Sequence, residues 1–160
     1  TQLLEAISSP SGTEVKGFPT GPGANGEVDD MALLAAQLQP YIDDLIDQGV
    51  NKIILMSHLQ LLGNERALAE LLEGVDIILA AGSNTRLADD DDVLVAFPGH
   101  PATAQGPYPI ITEGADGGTT LIVNTDNEYT YLGRLVVEFD AEGAIILDST
   151  ATVADAGGNL

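Results

Sequence analysis

Apolar residues recur at three- and four-residue spacing from Met31 to Ile46, through Leu34, Leu38, Tyr41, Ile42 and Leu45. That period predicts a helix with one buried face. Asp29 or Asp30 caps it and Gly49 stops it. Pro40 lies inside the pattern and predicts a kink or a division in two. Two short apolar runs follow, Lys52 to Met56 and Val75 to Leu79, around a helical pattern from Asn64 to Leu72. The helix is expected to bury Leu68, Leu71 and Leu72, with Gly74 closing it. The first run reads as a strand buried on both faces. Strand, helix and strand in this order predict a parallel β–α–β unit with a right-handed crossover. From Tyr108 the texture changes. Pro109–Thr112, Thr119–Asn124, Tyr131–Phe139 and Ala144–Asp148 predict four strands, with tight turns at Gly117-Gly118 and Ala141-Glu142-Gly143. In the third of these, Leu135, Val137 and Phe139 share one face, while Arg134, Val136 and Glu138 share the other. The fold class is α/β, at the α+β boundary: a mixed sheet with a parallel β–α–β unit followed by an antiparallel meander.

The remaining stretches carry no periodicity. Residues 8–27 are rich in Ser, Gly and Pro and read as one long loop. Residues 151–160 read as a flexible tail. Residues 1–150 then form part of a single domain, consistent with a length of 160 residues. The opening Thr1-Gln2-Leu3-Leu4 reads as the interior of a longer protein or as a processed product. An amino-terminal threonine is also a nucleophile type, although nothing else in the sequence supports that use.

Charge narrows the partners. Twenty-five acidic residues against five basic ones give a net charge of -20. Such a field repels nucleic-acid backbones and anionic membranes. An anionic substrate needs metal ions or a local reversal of the field. There is no cysteine, which excludes disulfides, thiolate zinc sites and thiol nucleophiles. No apolar run reaches the roughly 20 residues of a membrane span.

Ligands in α/β folds collect outside the carboxyl ends of parallel strands. The first apolar run ends in Ser57-His58, and the second in Ala80-Ala81-Gly82-Ser83-Asn84-Thr85. His58 is a candidate metal ligand or a hydrogen-bonded structural histidine. Asn84 is a candidate ligand or a turn residue. The run Asp89, Asp90, Asp91 and Asp92 is a candidate calcium loop or a solvated acidic loop. Glu113, Asp116, Asp126 and Glu128 read as solvated carboxylates, and His100, in a Pro-rich loop, as a surface residue.

The series GVNKIILMSHLQ, GVDIILAAGSNT, GPYPIITE and YLGRLVVEFDAEGAI resembles the calcineurin-like metallophosphoesterases, in the secreted 5'-nucleotidase branch. There, one strand ends in a Thr-His-Leu-Gly-like motif and another in Gly-Gly-His-Ser-His-Thr. A Tyr-Pro segment follows, then a strand opening Tyr-Leu-Gly-Arg-Leu. The likeness covers most of Val28 to Asp148, and Leu3 to Gly12 less specifically. It implies the carboxyl-terminal half of a four-layer αββα sandwich. It also implies two divalent metal ions that activate a water and neutralise a phosphate. His58 matches the first metal-binding histidine. Gly82 and Asn84 stand where the family has two histidines, and an amide oxygen at Asn84 suits magnesium or calcium rather than zinc.

The family's amino-terminal Asp, His and Asn ligands have no counterpart here, and neither does its nucleotide-specificity domain. The implied partner is the amino-terminal half of the same protein, or another copy of the chain. The implied function is hydrolysis of small phosphate esters by the joined halves of a secreted, periplasmic or cell-surface protein. The alternative is a non-catalytic extracellular module of the same fold, with a degenerate metal site open to calcium.

Overall fold

The computed structural model describes residues 30–126 and 129–147. The long loop at 8–27, Thr1, the tail at 151–160, Glu128 and Asp148 lie outside them. Asp30 caps the first helix as expected, its carboxylate accepting from Leu33 N at 2.8 Å. Helix α1 spans Met31–Asp47 as one element, with Pro40 inside it and on its exposed side. The helix is not divided. Gln39 ties it to the end of the next helix, donating to Glu73 O and accepting from Glu73 N.

Strands β1 (Ile54–Met56), β2 (Ile77–Leu79), β3 (Ile110–Glu113) and β4 (Thr119–Val123) form one sheet in the order β1-β2-β4-β3. Helix α2 (Leu62–Ala69) joins β1 to β2. The β1–β2 pair is parallel, as the β–α–β pattern predicts, and β4 joins β2 in parallel as well. Strand β3 pairs antiparallel with β4. Their turn is the expected one at Gly117-Gly118. Asp116 shapes it by accepting from Gly118 N and, with its other oxygen, from Gly74 N at 2.9 Å. Asp116 is exposed, as a solvated carboxylate is expected to be, and serves as a structural acceptor as well.

Both helices cover one face of the sheet. Ile78, Ile122 and Ile110 pack there against Leu68, Leu72, Met31, Ala35 and Ile42. The other face is only partly covered. Ile54 and Met56 are 56 % and 80 % exposed, and Leu79 and Ile111 join them in solvent. The expectation that β1 is buried on both faces fails because β1 is the edge strand. Leu71 and Tyr41 also face solvent. Both lie on the margin of stripes whose centres are Leu68, Leu72, Ala35 and Ile42.

The meander stops at the antiparallel pair. Among the described residues, 131–139 join no ladder; an isolated bridge links Phe139 to Ile145, and Ile146 N donates to Glu138 O at 2.9 Å. The alternation is nevertheless present: Leu135, Val137 and Phe139 are half-buried, while Arg134, Val136 and Glu138 are exposed. Two contacts hold this extended segment against loops. Tyr131 Oη accepts from Val95 N at 2.8 Å and donates to Val95 O at 3.0 Å. A Cβ on Gly133 would lie 2.5 Å from Thr125 Cγ2 and 2.8 Å from Tyr108 Oη, so only glycine permits this approach. The expected turn at 141–143 forms, with Asp140 accepting from Glu142 N and Ala144 N.

Ile78 is wholly buried between the helices and its sheet neighbours. Ile78→Ala is expected to cost about 2–5 kcal/mol in urea unfolding. A loss below about 1 kcal/mol would show that this face is not the core.

Candidate functional site

Parallel β1, β2 and β4 all end at the same edge of the sheet. Ser57 N donates to Leu79 O and Ala80 N donates to Val123 O, both at 3.0 Å, so the three polar exits stay in register. His58 leaves β1 there and is exposed. Its ring rests on the backbone of Gly82. A Cβ at Gly82 would meet His58 Cδ2 at 2.6 Å, Nε2 at 2.7 Å and Gln60 Cδ at 3.0 Å. Gly82 also has φ +86°, in the left-handed region that other residues avoid. The imidazole thus fills space that a side chain at 82 would take. Asn84 follows on the same loop, exposed at the rim of a cleft lined by Arg86, Gly99, His100, Pro101, Thr103 and Gln105.

The turn that presents His58 is built on Glu65. Ser57 Oγ and Leu59 N donate to Glu65 Oε1 at 3.0 and 3.1 Å, on either side of His58. Glu65 is 0 % exposed, and its Oε2 is buried without a hydrogen-bond partner among the described residues. Burial pushes its carboxyl above the ordinary range, against the opposing pull of the Leu59 N–H, the Ser57 hydroxyl and, more weakly, His58. A signal for Glu65 exists in the sequence. It falls with Leu68, Ala69 and Leu72 at i, i+3, i+4 and i+7, inside the apolar stripe.

Beyond Asn84 the chain enters a second polar cluster. Arg86 is 2 % exposed. Its Nε and Nη2 donate to Asp126 Oδ2 at 3.0 and 2.7 Å. Its Nη1 donates to the carbonyls of Pro101 and Thr103. His100 Nδ1 lies 3.2 Å from the same Asp126 oxygen, and its ring stacks on Phe97 at 4.3 Å. Asn124 completes the loop from below, donating to Ser83 Oγ and Thr85 O. Asp126 is therefore not a solvated carboxylate, and His100, with 15 % of its side chain exposed, is not a surface residue. The partners are 26 to 40 residues apart, which leaves no local pattern from which to read them.

The acidic run forms a turn. Asp89 accepts from Asp91 N, and Asp92 accepts from Asp89 N, so two of its carboxylates serve their own backbone. Among the described residues, no three His, Asp or Glu side chains gather into a group that could hold a metal. His58 and the Asn84 amide are too few donors for a two-metal centre. The residues present do not fit that centre by themselves.

A mouse 5'-nucleotidase is 33 % identical over 132 residues, 81 % of this chain and 21 % of that protein. The chain is related to the 5'-nucleotidases. It spans about a fifth of the length of the curated relatives it matches. A 5'-nucleotidase precursor from Thermus thermophilus superposes with a TM-score of 0.52 at 28 % identity, over 70 % of this chain and 20 % of that one. The NAD nucleotidase of Haemophilus influenzae shares the fold with a TM-score of 0.59 at 24 % identity, over 74 % of this chain and 22 % of that one. No protein-family model matches the chain.

A carboxyl whose pKa rises on folding binds its proton more tightly in the native state. The stability that Glu65 contributes is full below its unfolded value of 4.5 and is lost as pH rises through the folded value. Glu65→Gln is therefore expected to gain stability relative to the parent as pH climbs from 4 to 7.5 in urea unfolding. Glu65→Ala is expected to lose about 1–3 kcal/mol at pH 7.5, since Ser57 and Leu59 lose their acceptor. A parent-to-Gln difference independent of pH would remove burial as the cause.

Proposed function

We propose that this chain is the carboxyl-terminal part of a metallophosphoesterase domain, and that the longer protein hydrolyses nucleotides or other small phosphate esters. In that reaction a water oxygen attacks phosphorus, the ester P–O bond breaks and the leaving oxygen takes up a proton. The observation that carries the reading is the shared edge where β1, β2 and β4 end. It sets His58 and the Gly82–Asn84 loop side by side, in a chain related to the 5'-nucleotidases. His58 is the metal-ligand candidate and Asn84 a weaker one. The other ligands of a divalent centre would come from parts of the protein outside this chain. A secreted, periplasmic or cell-surface location goes with this reading. No described helix is long and apolar enough to cross a membrane.

One observation favours a second reading. The His58 ring occupies the space above Gly82, where the resembled family has an imidazole. A module that keeps the fold without catalysis would tolerate this rearrangement. Hydrolysis of p-nitrophenyl phosphate by the longer protein, with manganese, zinc or calcium added, separates the two. Turnover is expected, and His58→Ala is expected to reduce kcat/KM by roughly 10–100-fold, the scale on which disturbed metal sites fail. Turnover unaffected by His58→Ala removes His58 from the mechanism. No turnover with any metal favours the non-catalytic module.

The uncovered sheet face bears on partnership. On that face Ile54, Met56 and Leu79 are exposed together at the β1–β2 margin, while Ile77, Leu121 and Val123 are buried and separate them from Ile111. We take the exposed margin at Ile54, Met56 and Leu79 as an association face. We assign it to the amino-terminal half of the same domain, or to a second copy of the chain in its absence. Light scattering after size exclusion is expected to give a mass above 16.6 kDa for the chain alone. A monodisperse 16.6 kDa species that binds no apolar dye would overturn this.

A further inference from the structure

Two side chains converge over Gly82. A Cβ built on it would fall 2.6 Å from His58 Cδ2, 2.7 Å from His58 Nε2 and 3.0 Å from Gln60 Cδ. An imidazole and a carboxamide therefore share the space above one glycine. Gln60 itself has φ +69°, a conformation that strains a residue with a side chain and leaves glycine unstrained. The chain nevertheless keeps a side chain there, half-buried, with its carboxamide over Gly82.

Both backbones at this corner are pinned. The turn at His58 is tied on either side to Glu65, through Ser57 Oγ and Leu59 N. The facing loop is tied before Gly82 by Ala80 N, which donates to Val123 O. It is tied after Gly82 by Ser83 Oγ, which accepts from Asn124 Nδ2 at 2.8 Å and from Thr85 N at 3.3 Å. Room over Gly82 is thus set by the side chains at 58 and 60. Two departures from the resembled motifs fall on this same spot. Gln60 stands where the Thr-His-Leu-Gly-like motif has its glycine, and Gly82 stands where Gly-Gly-His-Ser-His-Thr has its first histidine. Relative to those motifs, one loop has gained a side chain and the facing loop has lost one. The volume over the corner is nearly kept, the kind of change that packed sites tolerate best.

We propose that Gln60 and Gly82 are one compensating exchange, which closes a ligand position at this edge of the sheet. The Gln60 carboxamide and the His58 ring fill the place of a second imidazole. These two loops then offer a divalent ion one imidazole and not two, a donor set that suits magnesium, manganese or calcium better than zinc. The metal preference rests on the phosphoesterase reading, whereas the exchange rests on the contacts over Gly82.

The test is zinc binding by the chain, measured by titration calorimetry in the parent, Gln60→Gly, Gly82→His and the double variant. The double variant is expected to bind zinc tighter than the parent by about tenfold or more, the scale on which changes around a metal site alter affinity. It clears the space and places a second imidazole beside His58. Gly82→His alone is expected to stay near the parent, because Gln60 still fills that space. Equal affinity in Gly82→His and the double variant would overturn the proposal, and so would a double variant no tighter than the parent. If Gly82→His does not fold, Gly82→Ala in urea unfolding takes its place. Its loss of stability is expected to shrink when Gln60→Gly is added, by a factor of about 2 or more in the unfolding constant, the size at which contacting residues couple. Additive losses would overturn the exchange. The two readings fail separately. Hydrolysis of p-nitrophenyl phosphate by the longer protein, with Gln60 and Gly82 uncoupled, sinks the exchange alone. Coupling without hydrolysis sinks the phosphoesterase reading alone.

Discussion

A buried guanidinium has to be answered by a carboxylate, because an uncompensated charge inside a protein costs several kcal/mol. Arg86 is that charge here. Its pairing with Asp126 joins the loop after β2 to the loop after β4, 40 residues further along. Its remaining N–H groups gather the carbonyls of Pro101 and Thr103, and Asp126 gathers His100. The irregular excursion between β2 and β3 has little regular structure of its own. It is shaped by one cation and the acceptors around it.

The other strand exit follows the same logic with the opposite sign. Glu65 is a buried acid that supplies acceptors to the two residues flanking His58. It trades an unfavourable ionised state for a rigid turn. Gly82 completes that corner by being absent as a side chain, so that the imidazole can lie down on the next loop. Three buried ionisable side chains, Glu65 behind the end of β1, Arg86 after β2 and Asp126 after β4, thus lie at the edge of the sheet where the polar exits gather.

The relation to the 5'-nucleotidases and the details of this edge point in partly different directions. The strand order and the parallel exits place His58 beside the Gly82–Asn84 loop, which is the basis of the proposed phosphoesterase reading. Gly82 and Asn84 remove imidazoles that the resembled family uses for metals. What the described residues show is a sheet edge where His58 and the Gly82–Asn84 loop lie side by side.

Periodicity alone determined α1, α2, the parallel β1–β2 unit, the β3–β4 hairpin and its Gly117-Gly118 turn. Each arises from contacts close in sequence or from a repeat that fixes which face is apolar. The same alternation in Leu135, Val137 and Phe139 correctly marked a half-buried face, but it could not say whether a neighbouring strand was there to pair with. Tyr131 and Gly133 decided that, by docking onto Val95, Thr125 and Tyr108 instead. Edge position likewise belongs to the assembled sheet, so Ile54 and Met56 read as buried when they are exposed. At the site, the strand-end rule placed His58 and Asn84, whereas Glu65, although it shares the helical stripe of Leu68 and Leu72, was recognised as buried only in the fold. Asp126, Arg86 and His100 were legible only in three dimensions. A charge pair carries no period, and its energy depends on burial, which no stretch of sequence contains until distant loops close over it.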